Sequence, residues 1–300
     1  MTRADARVVF RAMRPQHWVK NFLVFVPLVT GHRIGEWTLV GFGALAFSGF
    51  SLAASAGYVL NDVADARRDR LDPAKRIRPS AAGALGRGAG LAAAAVLGLA
   101  AVVLSWWTLP PRFTMVVLAY LAVSGTYSWG WKRVPIVDVL VLAGLYCLRV
   151  IGGGIAEATP VSEWLLAFSV FFFLSLAFLK RFTELRRLGA QSDPYAGGRG
   201  YQFEDRWVIS GAGIACGYVS VLVLALYINS ETASRLYHLP ELLWLVGPLL
   251  LHWITRFWLL AQRGVVDDDP VVFAARDRGT YVTVAMVAVL LYLATVGWPG

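Results

Sequence analysis

Cysteine, histidine and charge are all scarce in this 300-residue chain, and each shortage argues against a class of protein. The two cysteines, Cys147 and Cys216, fall in different apolar segments, which argues against a disulfide framework and a thiolate metal site. The four histidines are scattered without ligand spacing. Only 16% of the residues are charged and 57% are hydrophobic, a balance too apolar for a soluble globular domain of this length. We therefore predict an all-α, polytopic membrane protein.

The sequence also lacks a secretory signal and a reason to bind nucleic acid. Residues 1–20 are basic and polar, and no small-residue cleavage site follows a compact apolar core, so no cleavable signal peptide is predicted. A net charge of +9 would suggest a nucleic-acid partner in a soluble protein. In a membrane protein, basic residues concentrate on one side and contact anionic lipid, which accounts for the excess.

Long apolar segments, in contrast, are abundant. A helix needs about 20 residues to cross roughly 30 Å of hydrocarbon. The polar stretches between the apolar segments are short and cannot bury a core, so residues 1–300 are predicted to form a single domain, a bundle of about nine transmembrane helices. The predicted spans are 20–36, 38–60, 88–108, 112–130, 135–155, 162–180, 207–228, 240–262 and 280–298, of which the first is the weakest.

The basic residues predict an orientation for this bundle. With nine spans and the N-terminus inside, 24 of the 28 Lys and Arg residues lie on the cytoplasmic side, and only Arg33, Arg112 and Arg235 lie on the other. Such an asymmetry is typical of proteins that follow the positive-inside rule. It predicts a plasma (inner) membrane protein whose N-terminus and active site, at the mouth of the bundle, are cytoplasmic.

One acidic run stands where the second apolar span ends. Asp62, Asp65 and Asp69 follow one another at spacings of three and four, which on a helix predicts one shared face and one small volume. Carboxylates with substrate phosphate oxygens form the usual Mg²⁺ shell, so the run indicates a Mg²⁺ and diphosphate site. A solvated charge run that anchors the end of the helix is the alternative. The cations that follow are Arg67, Arg68, Arg70, Lys75, Arg76 and Arg78.

A single basic residue, Arg149, falls inside the fifth predicted span. A guanidinium within a membrane helix is costly, so we expect either a functional role or a structural one as partner of a buried carbonyl or acid.

These motifs resemble a known family. The pattern Asn61-Asp62-x-x-Asp65-x-x-x-Asp69 at the end of the second span, within a nine-helix layout, is similar to the UbiA superfamily of intramembrane prenyltransferases. In that family the first aspartate-rich motif binds Mg²⁺ and the diphosphate of an isoprenyl donor. The resemblance covers essentially the whole chain.

A group of further motifs resembles the branch of this family that includes decaprenyl-phosphate phosphoribosyltransferase. That resemblance implies transfer of a 5-phosphoribosyl group from phosphoribosyl pyrophosphate to a polyprenyl phosphate, with release of pyrophosphate, for cell-envelope glycan precursor synthesis. The motifs are Arg14-Pro15-Gln16-His17-Trp18-Val19-Lys20-Asn21, Lys75-Arg76-x-Arg78-Pro79, Ala82-Gly83, Lys180-Arg181 and Ala275-Arg276-Asp277-Arg278.

The chain departs from the family pattern after the sixth span. Aromatic prenyltransferases carry a second acidic motif there, whereas this sequence reads Lys180-Arg181-Phe182-Thr183-Glu184, with one acid and two bases. The added cations suit a substrate with more phosphate charge. An enzyme that moves an isoprenyl group from its diphosphate to a small acceptor is the alternative, and a non-enzymatic transporter is a weaker one because transporters place polar groups near the midplane.

The residues and the resemblance together assign a set of candidate site residues. Asp62, Asp65 and Asp69 are expected to be catalytic and to ligate Mg²⁺. The expected partners are a polyprenyl phosphate, phosphoribosyl pyrophosphate and membrane lipid, and the bundle is compatible with a monomer or a homo-oligomer. The expected substrate-binding residues are Gln16, Lys20, Asn21, Asn61, Lys75, Arg76, Arg78, Tyr127, Arg149, Lys180, Arg181, Glu184, Arg276 and Arg278.

Overall fold

Helices form the whole of the regular structure in the computed structural model, which describes residues 6–72, 75–189, 199–266 and 269–296. No strand occurs in these ranges, so the predicted all-α class is confirmed. The chain divides into two compact units, Met1–Val161 and Ser162–Gly300. That one domain covers residues 1–300 stays a prediction.

The first unit is built around one long helix. This helix packs against three later helices and against a 3₁₀ segment near the N-terminus. In the core the Phe50 ring meets the Phe113 and Tyr120 rings edge-on, each with ring centroids 5.5 Å apart. The helices are α1 (Ala6–Met13), α2 (Val26–Thr30), the long α3 (Trp37–Asp69), α4 (Arg87–Thr108), α5 (Pro111–Trp129) and α6 (Val137–Ala156), with 3₁₀ helices at Pro15–Phe25 and Trp131–Arg133.

The Pro15–Phe25 segment lies directly on α6 and α3. A Cβ atom at Gly153 would lie only 1.9 Å from the carbonyl oxygen of Val24, so the backbones touch where α6 has no side chain. On the other side, the Trp18 indole N–H donates to the Ser55 hydroxyl at 3.1 Å. These contacts fix the N-terminal segment against the helices that carry the acidic run.

The second unit is organised by α7, α8 and α10, which pack against one another. At the start of α7 the Ser162 hydroxyl accepts the backbone N–H of Leu165 at 3.1 Å, a regular N-cap. The helices are α7 (Glu163–Leu188), α8 (Arg206–Ile228), α9 (Glu231–Leu236), α10 (Val246–Gln262), α11 (Pro270–Ala274) and α12 (Arg278–Val296), with 3₁₀ helices at Phe203–Asp205 and Pro240–Leu245.

Seven helices of the described residues are long and apolar enough to cross a membrane. The predicted number of nine is not confirmed. The predicted first span, 20–36, falls on the 3₁₀ helix and the five-residue α2, in which Pro27 occupies the first turn. Side-chain hydrogen bonds from Trp18 and Asn21 to serines of α3 accompany the 3₁₀ course. The predicted span 112–130 forms α5, a 19-residue helix that is not among the seven.

Candidate functional site

The acidic run occupies the last turns of α3, where the helix still packs on its unit. Asp62 and Asp69 are only 1% and 4% exposed. They stand seven residues apart and therefore share a face of the helix, whereas Asn61 and Asp65, four apart, share the neighbouring one. The run thus presents polar groups in two directions.

Asp62 is enclosed by guanidinium groups. One Nη atom of Arg14 donates to Asp62 Oδ1 at 2.5 Å, and Arg78 Nη1 lies 3.8 Å from the same oxygen. The other oxygen, Oδ2, is buried and has no hydrogen-bond partner among the described residues. A buried carboxylate oxygen without a donor is an open position for a cation or a protonated ligand group.

Arg78 links Asp62 to Asp69. Its Nη1 atom donates to Asp69 Oδ2 at 2.8 Å. The loop that carries it is tied back to α3, because Arg70 Nε donates to the Ala81 carbonyl at 3.0 Å. Two other predicted residues of this loop point elsewhere: Lys75 Nζ lies 3.4 Å from Asp72, and Arg76 is exposed.

Asp65 has a different cation as its partner. Lys132 Nζ, only 2% exposed, lies 2.7 Å from Asp65 Oδ1 and donates to Asn61 Oδ1 at 2.9 Å. That all three acids share one small volume stays a prediction. The ion pairs divide the acids into two groups, because Asp62 and Asp69 share Arg78 whereas Asp65 pairs with Lys132.

An open cavity lies beside Asp62. Its volume is about 580 Å³, and positive charge dominates its walls. Gln16, one of the predicted substrate residues, lines it together with Asp62 and Arg78. The full lining is Phe10, Arg11, Arg14, Pro15, Gln16, His17, Asp62, Ile77, Arg78 and Pro79. The cavity has the charge and the size for a phosphate-bearing ligand.

Arg14 reaches Asp62 through an unusual backbone. Its φ and ψ angles, 54° and 63°, are left-handed, and the next residue is Pro15. Non-glycine residues rarely adopt this conformation, and cases of such strain concentrate at functional sites. The turn between α1 and the 3₁₀ helix thereby directs a guanidinium at the acidic run.

Three predicted residues form a second polar cluster in the core of the same unit. Arg149 donates to Asn21 Oδ1 at 2.7 Å, to the Tyr120 hydroxyl at 2.8 Å and to the Leu145 carbonyl at 2.6 Å. Lys20 is 5% exposed, and its Nζ lies 5.9 Å from the centre of the Tyr146 ring. The structure thus gives Arg149 structural partners.

A third buried acid lies near the start of α3. Glu157, at the C-terminal end of α6, is fully buried, and neither of its carboxyl oxygens has a hydrogen-bond partner among the described residues. A Cβ atom at Gly43 would lie 2.6 Å from one of them. Burial raises the pKa of Glu157 to about 8, against a smaller opposing effect of the Leu28 backbone.

The second unit holds the predicted residues that follow the sixth predicted span. The Lys180 ammonium lies 3.9 Å from Asp269, and Arg181, 1% exposed, pairs with Glu184. Arg199 also reaches Glu184, at 3.4 Å. In this cluster two arginines share one acid.

Arg276 and Arg278 are exposed beside the start of α12. The acid between them, Asp277, binds Arg256 through two hydrogen bonds of 2.7 and 2.9 Å and accepts the Thr280 backbone N–H. The hydrogen bond from Arg256 lowers the pKa of Asp277 to about 2. Asp277 therefore caps α12 and does not orient its two neighbours.

Two residues at the acidic run were missing from the predicted site. Arg14 belongs to a recognised motif, so its sequence did carry a signal, but no role follows from spacing alone. Lys132 had only the signal of a basic residue after an apolar segment. Tyr127, which was predicted, is buried in α5.

A divalent metal is compatible with part of this site. Among the described residues no cluster of three His, Cys, Asp or Glu side chains is arranged to hold a metal ion. The unpartnered Oδ2 atom belongs to Asp62, a residue that lines the cavity and shares Arg78 with Asp69, and a carboxylate oxygen is the kind of ligand that Mg²⁺ prefers.

One protein-family model matches most of the chain. The model described as the UbiA prenyltransferase family matches residues 22–264. The match runs through both units.

Curated relatives cover the chain to different extents. It is 36% identical over 278 residues to an uncharacterized protein, y4nM, of Sinorhizobium fredii, which covers 92% of this chain and 54% of that protein. The chain thus spans about half the length of that relative. It is 32% identical to nodulation protein NoeC of Azorhizobium caulinodans, over 92% of this chain and 90% of that protein. It is also 39% identical to decaprenyl-phosphate phosphoribosyltransferase of Mycobacterium tuberculosis, over 59% of this chain and 60% of that enzyme.

Solved structures share the fold. A UbiA homolog from Archaeoglobus fulgidus, bound to GPP and Mg²⁺, aligns with a TM-score of 0.68 and 13% identity, over 97% of this chain and 100% of that one.

Proposed function

The chain belongs to the UbiA prenyltransferase family, and from that premise we propose that it transfers a 5-phosphoribosyl group from phosphoribosyl pyrophosphate to a polyprenyl phosphate, with release of pyrophosphate. The family membership makes the protein a transferase with membrane-spanning helices. The identity of donor and acceptor is the proposed part.

One observation carries the proposal: the cavity beside Asp62 is walled by guanidinium groups. Arg14 and Arg78 both lie within 4 Å of a buried carboxylate and line a space of about 580 Å³. A donor with a pyrophosphate and a separate 5-phosphate offers several oxygens to such a wall. The relative named decaprenyl-phosphate phosphoribosyltransferase supports this choice of substrates.

The residues at the cavity suit the chemistry of ribosyl transfer. Arg14 and Arg78 bind donor phosphates, and Gln16 offers its amide to a sugar hydroxyl. The C1–O bond to pyrophosphate breaks, and a phosphate oxygen of the lipid attacks C1. Because that oxygen is already anionic, no strong general base is required. Lys132 keeps Asp65 and Asn61 in one orientation, so catalysis rests on positioning and electrostatics.

Mg²⁺ completes the proposed site. Asp62 and Asp69, with Asp65, are the residues that would hold it. When bound, it supplies charge neutralisation for the pyrophosphate leaving group.

The membrane places acceptor and donor together. We propose that the acidic run faces the cytoplasm of a plasma membrane, because 24 of the 28 basic residues fall on that side of the predicted topology. Exposed tryptophans are consistent with lipid contact at helix ends, for example Trp107 and Trp129, which are 81% and 87% exposed. The remaining substrate-binding assignments stay predictions: Lys20, Asn21, Lys75, Arg76, Tyr127, Arg149, Lys180, Arg181, Glu184, Arg276 and Arg278.

The test is a transfer assay. Purified protein is incubated with Mg²⁺, labelled phosphoribosyl pyrophosphate and a polyprenyl phosphate in detergent, and label is followed into the lipid phase. The expected result is transfer by the wild type and its loss on addition of EDTA. Transfer of an isoprenyl group from its diphosphate to a small acceptor, with no label in the lipid, would replace the proposal by a prenyltransferase activity.

A further inference from the structure

The cavity beside Asp62 contains one positive charge that no acid balances. Arg14 pairs with Asp62, and Arg78 pairs with Asp69. Arg11 lines the same cavity and is exposed, and within the part of the chain that the structure describes it has no ion pair. A guanidinium in this position is available to an anion that enters from outside.

The rim next to Arg11 is apolar. Phe10 and Ile77 line the cavity and are 55% and 68% exposed. Phe10 is held on one side by the Trp18 ring, with centroids 6.5 Å apart and the rings nearly perpendicular. Apolar side chains exposed beside an unmatched guanidinium fit a ligand that carries an anionic head on a hydrocarbon chain.

Part of the cavity wall comes from residues that the family model does not match. The match begins at residue 22, whereas the cavity residues from Phe10 to His17 lie before it. The acidic run therefore lies within the matched region, and much of the wall that faces it does not.

We propose that Phe10, Arg11 and Ile77 form the entry site for the acceptor lipid, with Arg11 binding the phosphate monoester head and the apolar pair binding the first isoprene units. This inference rests on the proposed function and names where its acceptor binds. In this proposal the phosphates of the donor contact Arg14 and Arg78 beside Asp62, whereas the acceptor lipid contacts Arg11 at the rim. The two substrates therefore reach the same cavity from different sides.

The test separates the contribution of the phosphate head of the ligand from that of its hydrocarbon chain. The protein, residues 1–300, is placed in phosphatidylcholine nanodiscs. Its binding of a long polyprenyl phosphate and of dimethylallyl phosphate, a short soluble analogue, is then measured. Arg11→Gln is expected to weaken both about ten-fold, the effect of losing one charged hydrogen bond, and Arg11→Lys to restore part of it. The double variant Phe10→Ser/Ile77→Ser is expected to weaken the long ligand more than dimethylallyl phosphate, which offers the apolar pair a single isoprene unit.

Matched controls exclude general effects. Arg7→Gln removes the same charge from the same helix but does not line the cavity, and Leu71→Ser alters an apolar side chain that is 85% exposed outside it. Both controls are expected to bind as the wild type does. Equal weakening by Arg7→Gln would reduce the effect to bulk charge and overturn the site.

Other anions also carry a phosphate group that Arg11 could bind, so they are tested as competitors in the same experiment. If inorganic phosphate at equal concentration competes with the long ligand, Arg11 binds free phosphate. If phosphatidylglycerol at equal concentration competes with it, Arg11 binds bilayer lipid. Either result overturns the acceptor site. A raised KM for phosphoribosyl pyrophosphate in Arg11→Gln would also overturn it. Wild-type protein that binds polyprenyl phosphate through Arg11 but transfers no label would reject the proposed reaction and leave the entry site standing.

Discussion

Two buried carboxyl groups of the first unit differ in their surroundings. Asp62 and Glu157 are 1% and 0% exposed. Asp62 lies within reach of two guanidinium groups, whereas both oxygens of Glu157 have no hydrogen-bond partner in the described residues. Glu157 sits beside Gly43, and from Gly43 to Asp62 helix α3 advances about 28 Å. The two acids therefore lie near different ends of one helix.

The comparison teaches that burial alone does not mark a functional acid. A carboxyl group without cations favours its neutral form, as the raised pKa of Glu157, about 8, indicates. An acid that has to act on phosphates needs positive neighbours, and Asp62 has them together with an open cavity. The cations, more than the acid itself, distinguish the candidate site.

The largest expected effect comes from removing the charge of Asp62. Asp62→Asn keeps the shape but removes the anion between Arg14 and Arg78, and we expect a loss of at least about 100-fold in label transfer. Glu157→Gln is the matched control and should change transfer at pH 7 by less than about two-fold. Equal losses in both variants would erase the distinction between the two acids.

The second prediction concerns Lys132. Lys132→Met leaves Asp65 without its cation in a buried position, and we expect about 3 kcal/mol of destabilisation in denaturant unfolding of the detergent-solubilised protein. The double variant Lys132→Met/Asp65→Leu should regain most of that stability, since no unpaired charge remains. A single variant as stable as the wild type would show that the pair is not structural.

The third prediction follows from the raised pKa of Glu157. Its ordinary value is 4.5 and its folded value is about 8, so the folded state binds the extra proton between these pH values. Stability is therefore complete below about pH 4.5 and is lost as the pH rises to about 8, with a loss of about 2 kcal/mol between pH 6 and pH 8. Unfolding curves across this range should flatten in Glu157→Gln and stay unchanged in Glu36→Gln, which alters an exposed acid.

The smallest expected effect is at a half-buried pair of the second unit. Asp277→Asn weakens the hydrogen bonds with Arg256 and the cap of α12, and we expect about 1 kcal/mol of destabilisation. The comparison between acids would sharpen if Asp277, which is paired but is not among the residues that line the described cavity, affected stability only. Thermal unfolding of the purified protein in detergent measures it.

The sequence was sufficient to predict the class of the fold and to place the acidic run on a helix. Long apolar segments predict membrane helices, and the acid spacing predicts a helical run in the last turns of α3, as observed. The number of spans was less predictable. Residues 15–30 are apolar enough to resemble a span, but Trp18 and Asn21 bond to serines of α3 and the segment takes a 3₁₀ course.

The orientation of each acid was not predictable from spacing. The spacing of the acids along the sequence determines where each side chain leaves the helix. The partner of each carboxylate depends on which cation the fold places beside it, and that cation comes from a distant part of the sequence. Lys132 comes from the connection after α5 and binds Asp65, whereas Asp62 binds Arg14. In the same way Asn21 binds Arg149, a contact between residues far apart in sequence that no local pattern encodes.

The contact of Gly153 with the Val24 carbonyl has a consequence for engineering. The segment that carries Gln16 and His17 is seated by backbone against backbone, with no side chain in between. This one contact does not depend on the side chains that face the cavity. Libraries at positions 10, 11 and 16 leave it in place, provided that Gly153 is kept, and can test whether these positions select the proposed acceptor lipid.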